Sequence, residues 1–218
     1  PQSPQTFKQL LMVGGIDKYY QIVKCFRDED LRADRQPEFT QIDVEMAFAS
    51  QEDVMDTFSS YIQEVIPKVW PDAAIPSEIP KMPYAEAMLK YGSDKPDLRY
   101  GLEIHDVSEI GAASDFGVFK SVVESGGVIR GMAATGCVDF TRKTIDELTK
   151  FVGKYGAKGL VWMRVKEDGT VESQVGKFFK EGQLEQLRDA VGGKPGDMLF
   201  FVAAREKLAA QSMGHLRT

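Results

Sequence analysis

The chain has 218 residues, 43% of them hydrophobic, which is enough for one or two globular domains with a sizeable core. A net charge of −6 argues against broad, non-specific binding of polyanions, although a few well-placed arginines can still contact RNA. No apolar run approaches the length that spans a bilayer, and Cys25 and Cys137 lie far apart without metal-ligand spacing. These features predict a cytoplasmic protein with reduced thiols and no membrane contact.

The first third of the chain predicts two helices around a pair of strands. The predicted elements are a helix over residues 6–13, strands over 19–27 and 39–50, and a helix from residue 51. Gly14 and Gly15 end the first helix. Ser50 and Asp53 form a capping box at the start of the second, whose apolar residues recur at intervals of three and four.

The rest of the chain predicts a second, mixed unit. Four prolines in residues 71–83 predict a linker, and residues 84–91 predict a short helix that Gly92 ends. The predicted elements after residue 102 are strands over 128–133, 159–165 and 198–203, and helices over 143–154, 183–191 and 206–216. This alternation is typical of a compact α+β unit. The glycine-rich segments 125–131 and 191–197 lack P-loop spacing and predict turns.

Residues 25–45 carry the most informative pattern in the chain. One face of the predicted hairpin presents a guanidinium, carboxylates, an amide and an aromatic ring, from Arg27, Glu29, Phe39, Gln41, Asp43 and Glu45. A guanidinium binds phosphate oxygens, an aromatic ring stacks on a base, and carboxylates hold an ammonium group. Alternation alone favours a plain solvated edge. The aromatic ring of Phe39 in line with polar side chains favours a nucleotide site instead.

The order of residues here resembles a known family. FRDEDLRADRQPEFTQID resembles motif 2 of class II aminoacyl-tRNA synthetases, and PQSPQTFKQLLM resembles the segment before motif 2 in their aspartyl, asparaginyl and lysyl subgroup. YGSDKPDLR resembles the bacterial aspartyl-tRNA synthetases, and the residues after it resemble their inserted GAD domain, which the amidotransferase subunit GatB shares. The resemblance implies an α+β protein: a partial class II antiparallel-sheet catalytic core (1–101), a mixed α+β insertion (102–205) and a return towards the core (206–218).

The resemblance also implies ATP-dependent activation of L-aspartate and its transfer to tRNA(Asp). Arg27 matches the catalytic arginine of motif 2, which bridges the attacking carboxylate and the α-phosphate. Phe39 matches the position that stacks on adenine, and Glu29 matches a carboxylate that lies close to the nucleotide. Gln41 is similar to an amide near the reacting phosphate.

Other positions match family residues that hold the amino acid and the tRNA. Ser3, Gln5 and Asp43 match positions at the α-ammonium group, and Lys8 matches the lysine that meets the side-chain carboxylate of aspartate. The family's motif 2 loop approaches the tRNA acceptor end, which predicts contacts from Arg32, Arg35 and Gln36. Without the family match, Lys8 is more simply a helix-surface lysine and the loop a solvated one.

Parts of the family pattern have no match in this sequence. These parts are motif 1, motif 3, the anticodon-binding barrel, the Mg²⁺ carboxylates and the arginine that clamps the aspartate side chain. His105 and His215 are isolated, so we expect no metal site on this chain, with Mg²⁺ bound elsewhere in the parent enzyme. The start without Met favours a fragment. We expect the parent to be a homodimer and the fragment to be inactive alone.

Two alternatives remain open at the level of sequence. The chain could be a non-catalytic module that contacts tRNA or a protein partner through its inserted domain, for example through Lys143, Lys150 and Lys154. It could also come from an asparagine- or lysine-specific relative, against which Lys8 and YGSDKPDLR speak. These residues do not decide whether only tRNA(Asp) is charged.

Overall fold

The computed structural model describes residues 3–30 and 35–218. Their packing divides the chain into a first unit, Pro1–Pro80, and a second unit, Lys81–Thr218. Each unit combines helices with an antiparallel sheet, which confirms the predicted mixed α+β class. Across the described residues, no helix is both long and apolar enough to cross a membrane.

The first unit contains the four predicted elements. They are α1 (Gln5–Val13), β1 (Lys18–Phe26), β2 (Glu38–Met46) and α2 (Gln51–Val69). The strands form a two-stranded antiparallel sheet. The capping box is confirmed, because the Asp53 amide donates to Ser50 Oγ at 3.2 Å and the Ser50 amide donates to Asp53 Oδ2 at 2.8 Å.

The predicted extension of the second strand through residues 47–49 is wrong. The chain turns at Phe48, whose φ of 55° lies in the left-handed region and cannot continue a strand. The Ala47 amide donates to Asp17 O at 2.8 Å, which ties the end of β2 to the residue before β1.

The first unit leaves much of its apolar surface open. Tyr20 and Ile22 on β1 are 75% and 68% exposed, and Ile42 on β2 is 46% exposed. Tyr20 and Ile42, together with residues of α2, line a pocket of about 570 Å³ that is almost entirely apolar. Because the surface of this pocket is almost entirely apolar, it does not suit the charged phosphates of a nucleotide and is not the candidate active site.

The second unit is a five-stranded sheet with helices on both faces. Its elements are α3 (Tyr84–Tyr91), β3 (His105–Asp106), α4 (Ser108–Ala112), α5 (Gly117–Glu124), β4 (Val128–Ala134), α6 (Arg142–Gly153), β5 (Val161–Val165), β6 (Val171–Ser173), α7 (Gln183–Ala190), β7 (Met198–Ala204) and α8 (Glu206–Arg217). The strand order is β3-β4-β7-β5-β6, and all pairs are antiparallel.

The central strand β7 is buried on both faces, as its unbroken apolar run predicted. Phe200 packs in a cluster with residues of α6 and α8, such as Ile145 and Met213. Phe201 points into a second cluster with residues of α5 and α7, such as Phe119. The sheet therefore lies between two hydrophobic cores, one on each face.

Four short elements, α4, α5, β3 and β6, were not predicted. The helix α5 contains Val118, Val122 and Val123, and β-branched residues have low helix propensity. Burial of Phe119 outweighs that propensity and stabilises the helix.

The predicted domain limits at 101 and 205 stay predictions. Residues 81–101 and α8 pack within the second unit.

Close packing of the sheet gives a first testable prediction. A Cβ on Gly131 of β4 would lie 2.5 Å from Cδ1 of Phe201. We expect Gly131→Ala to lower the free energy of unfolding of the second unit by about 1–3 kcal/mol through overpacking, measured by denaturant titration. Gly153→Ala is the matched control, because a Cβ there meets nothing within 4 Å and should not destabilise. Equal stability of the two variants would contradict the prediction.

Candidate active site on the hairpin of the first unit

The register of the hairpin places the predicted functional side chains on one face. Cys25 pairs with Phe39, Val23 with Gln41, and Gln21 with Asp43. Since partners in a ladder share a face, β2 contributes Phe39, Gln41, Asp43 and Glu45 to the same surface. This surface is called the polar face of the hairpin.

One end of the polar face is a pocket of about 370 Å³, called the arginine pocket. It is lined by Arg27, Glu29, Arg35, Gln36 and Phe39. The Arg27 guanidinium lies over the Phe39 ring, 5.0 Å from its centroid. Glu29 Oε2 lies 3.3 Å from Nη1 of Arg35 and Glu29 Oε1 lies 3.9 Å from Nη1 of Arg27. Two guanidinium groups against one carboxylate leave the pocket positive, which suits phosphate oxygens.

The other end of the polar face is an ion cluster, called the lysine cluster. Lys8 of α1 reaches across to β2, where its Nζ lies 3.0 Å from Asp43 Oδ1 and 3.2 Å from Glu45 Oε2. Asp43 is only 2% exposed, and its Oδ2 is buried with no hydrogen-bond partner among the described residues. One ammonium against two carboxylates leaves this end negative, and the free Oδ2 can accept a further donor.

The ion pairs of the lysine cluster predict that the stability of the fold depends on pH. The hydrogen bond to Asp43 raises the pKa of Lys8 above its usual value, and Glu45 acts in the same direction. When folding raises the pKa of a lysine, its protonated form stabilises the folded state. This stabilisation is complete at pH values below the ordinary pKa of lysine, and it is lost as the pH rises through the pKa in the folded protein. We expect NMR titration of the Lys8 Cε signal to give a higher pKa than in the Glu45→Gln variant. An unchanged pKa would show that Glu45 contributes nothing.

A family model described as tRNA synthetases class II (D, K and N) matches residues 1–202. The chain belongs to this family. It is 54% identical over 218 residues to an aspartate–tRNA ligase of Staphylococcus carnosus, and 53% identical over 220 residues to an aspartate–tRNA(Asp/Asn) ligase of Desulfatibacillum aliphaticivorans. Each comparison covers the whole chain but only 37% and 36% of the relative. The resemblance to class II synthetases is thereby confirmed, and the chain spans little more than a third of its relatives' length.

Most of the predicted site residues of this class II synthetase segment lie on the polar face. The arginine pocket brings three residues predicted for ATP together with two predicted for tRNA, namely Arg27, Glu29, Phe39, Arg35 and Gln36. Gln41 lies between the two ends and accepts a hydrogen bond from Cys25 Sγ at 3.5 Å. Arg32 lies outside the described residues. All these roles stay predictions.

Lys8 and Asp43, both predicted to hold the amino acid, contact each other directly. Ser3 and Gln5 lie exposed at the start of α1, and no described contact joins them to the lysine cluster. Sequence reasoning placed Glu45 on this face but gave it no role. The available signal was its position two residues after Asp43, on the same side of the strand.

The described residues contain no group of three or more His, Cys, Asp or Glu side chains that could hold a metal ion. Cys25 and Cys137 are free, and burial raises the pKa of the Cys137 thiol.

Proposed function

We propose that this chain supplies one wall of the active site of an aspartate–tRNA ligase. The enzyme would activate L-aspartate with ATP to aspartyl-adenylate and transfer the aspartyl group to tRNA(Asp). The relatives named above support this assignment. The observation that carries it is the division of charge along the polar face, with a positive pocket at one end and a negative cluster at the other.

The two ends suit the two halves of the adenylate. Phe39 and Asp43 are four residues apart on β2, which is about 13 Å along a strand, so nucleotide and amino acid would lie side by side on one face. In the reaction, an aspartate carboxylate oxygen bonds to the α-phosphorus while the bond to pyrophosphate breaks. This chemistry depends mainly on positioning and on neutralising charge.

Arg27 is the residue we propose to neutralise that charge. Its guanidinium can bind an α-phosphate oxygen and the attacking carboxylate together. Adenine would stack on the Phe39 ring, over which Arg27 lies at 5.0 Å. Stacking on that face would require the guanidinium to move off the ring towards the phosphates. Glu29 and Gln41 would contact the nucleotide beside it.

Asp43 is the residue we propose to hold the α-ammonium group of aspartate. Its buried Oδ2 lacks a partner, and an ammonium donor would supply one. Lys8 would keep Glu45 as a partner at 3.2 Å and could turn to the side-chain carboxylate of aspartate. Ser3 and Gln5 would complete the ammonium site.

Arg35 and Gln36, with Arg32, would contact the acceptor end of the tRNA. A relative named aspartate–tRNA ligase and one named aspartate–tRNA(Asp/Asn) ligase match this chain at 54% and 53% identity, so identity alone does not indicate which tRNAs the parent enzyme would charge.

Other parts of the proposal concern the parent enzyme. We propose that it is a cytoplasmic homodimer that uses Mg²⁺ with ATP. We expect the ligands of the ion elsewhere in the parent enzyme, and the described residues of this chain contain no group of three or more His, Cys, Asp or Glu side chains that could hold it. We also propose that residues 102–205 are the GAD insertion between core segments 1–101 and 206–218. The alternative of a non-catalytic binding module stays a prediction.

A chimeric enzyme tests the proposal. This chain would replace the aligned segment of the Staphylococcus carnosus aspartate–tRNA ligase, with which it shares 54% identity. We expect aspartate-dependent ATP–pyrophosphate exchange, and none with asparagine or lysine in place of aspartate. A folded chimera without exchange would refute the function. The 218-residue chain alone should show no exchange, and clear turnover would refute that separate expectation.

A further inference from the structure

Arg217, the last residue of α8, is almost fully buried and binds the main chain of a single loop. Its Nε donates to Leu102 O at 3.0 Å, and its Nη2 donates to Asp97 O at 2.5 Å, to Gly101 O at 3.1 Å and to Tyr100 O at 3.3 Å. With planar, fixed N–H donors, a guanidinium can satisfy several carbonyls at once, which the single ammonium of lysine does less well.

Two aromatic rings enclose the same guanidinium. The Arg217 Cζ lies 4.8 Å from the ring centroid of Tyr91 and 4.7 Å from that of Tyr100. Tyr91 ends α3, and Tyr100 lies on the loop that Arg217 binds. One side chain therefore touches Tyr91, at the start of the YGSDKPDLR segment, and Tyr100, the residue directly after its end.

The start of this segment also contacts α8 through glycine backbone. A Cβ on Gly92 would lie 2.1 Å from Ala210 O, and a Cβ on Gly214 would lie 2.8 Å from Gly92 O. Gly92 has a φ of +66°, which ends α3 and turns the chain along α8. Past the segment, the Ile104 amide donates to Lys90 O at 2.7 Å.

Residues 93–102 connect α3 to β3. They contain no helix or strand, and Leu98 and Arg99 point to solvent. The local contact of Arg99 with the Asp97 carboxylate lowers the pKa of Asp97 to about 2, but it joins neighbours within the loop and does not attach the loop to α8.

We propose that Arg217 is a latch that keeps residues 93–102 folded against α8. Its loss frees this segment while the sheet of the second unit stays folded. The latched segment and α8 line a pocket of about 540 Å³, with Ser93 and Lys95 on one wall and Lys207 and Gln211 on the other. The shape of that pocket therefore depends on the latch. This inference does not rest on the proposed ligase function.

Amide hydrogen exchange on the 218-residue chain tests the latch. In Arg217→Ala we expect the Ile104 amide to exchange at least about tenfold faster, because several hydrogen bonds to a charged group are lost. The amides of Phe200 and Val202 in β7 should exchange within about twofold of their original rates. Arg217→Lys should fall between the wild type and the alanine variant.

Two further variants sharpen the test. Gly214→Ala should also speed exchange at Ile104 and not in β7, because the added Cβ pushes α8 away from Gly92. Arg142→Ala, at the exposed start of α6, should leave the exchange rates at Ile104 and in β7 unchanged. If amide exchange became faster by the same factor at Ile104 and in β7, or if both Arg217 variants unfolded, Arg217 would stabilise the whole unit. Either result would overturn the latch. Unchanged exchange at Ile104 would overturn it as well.

Discussion

Arg27→Ala is expected to slow aspartate-dependent ATP–pyrophosphate exchange by the chimeric ligase by about 10²–10³-fold, the usual cost of removing a donor that stabilises developing charge. The arginine pocket is open, with Arg27 58% exposed, so the substitution should not unfold the hairpin. Since the proposed contact is made to phosphate and carboxylate together, most of the loss should appear in kcat. Arg27→Lys should recover only part of it, because an ammonium cannot form the paired hydrogen bonds.

The matched control for Arg27 is Arg142→Ala, which removes an exposed arginine of α6 that makes no ion pair among the described residues. Its exchange rate should stay within about twofold of the chimera, as is usual for surface changes. A loss below tenfold for Arg27→Ala would contradict the catalytic role. The ligase assignment would then need another source of charge neutralisation.

Asp43→Asn is expected to raise the KM for aspartate by about 100-fold or more, as the loss of a buried charged partner typically does. Asparagine keeps the shape of the side chain but removes the negative charge that would hold the α-ammonium group. Lys8 keeps Glu45 as a partner, so the cluster is not left with an unpaired buried cation. The KM for ATP should change little, because the arginine pocket lies at the other end of the face.

A comparison with Glu45→Gln separates substrate binding from support of Lys8. Glu45 is 38% exposed and already paired with Lys8, so its loss should raise the KM for aspartate less than the loss of Asp43. If both variants raised the KM for ATP and for aspartate alike, general disruption of the hairpin would explain them better than a lost substrate contact.

Features that depend on the order of neighbouring residues could be predicted from the sequence. Alternation in β2 placed Phe39, Gln41 and Asp43 on one face, and the unbroken apolar run of β7 predicted a strand covered on both sides. The roles assigned to these residues came from resemblance to class II synthetases, since alternation alone favoured a solvated edge. Periodicity shows which residues share a surface and does not show what the surface binds.

Features that depend on contacts between residues far apart in the chain could not be predicted from the sequence. The contact of Lys8 with Asp43 spans 35 positions and requires α1 to pack on the hairpin. The contacts of Arg217 span more than a hundred positions and leave no periodic signal. The turn at Phe48 was missed because Ala-Phe-Ala continues the strand pattern while the backbone at Phe48 becomes left-handed.

The open apolar face of the first unit has a thermodynamic consequence. A two-stranded sheet with so little buried surface is marginally stable alone, whereas the second unit has two closed cores. Heating the 218-residue chain should therefore give two transitions, with the hairpin melting first. Nucleotide and aspartate would bind only the folded fraction of that hairpin, so the apparent dissociation constant would exceed the intrinsic one by the inverse of that fraction. Under the proposed function, the apparent affinity of this chain for nucleotide or aspartate would therefore measure how much of the first unit is folded.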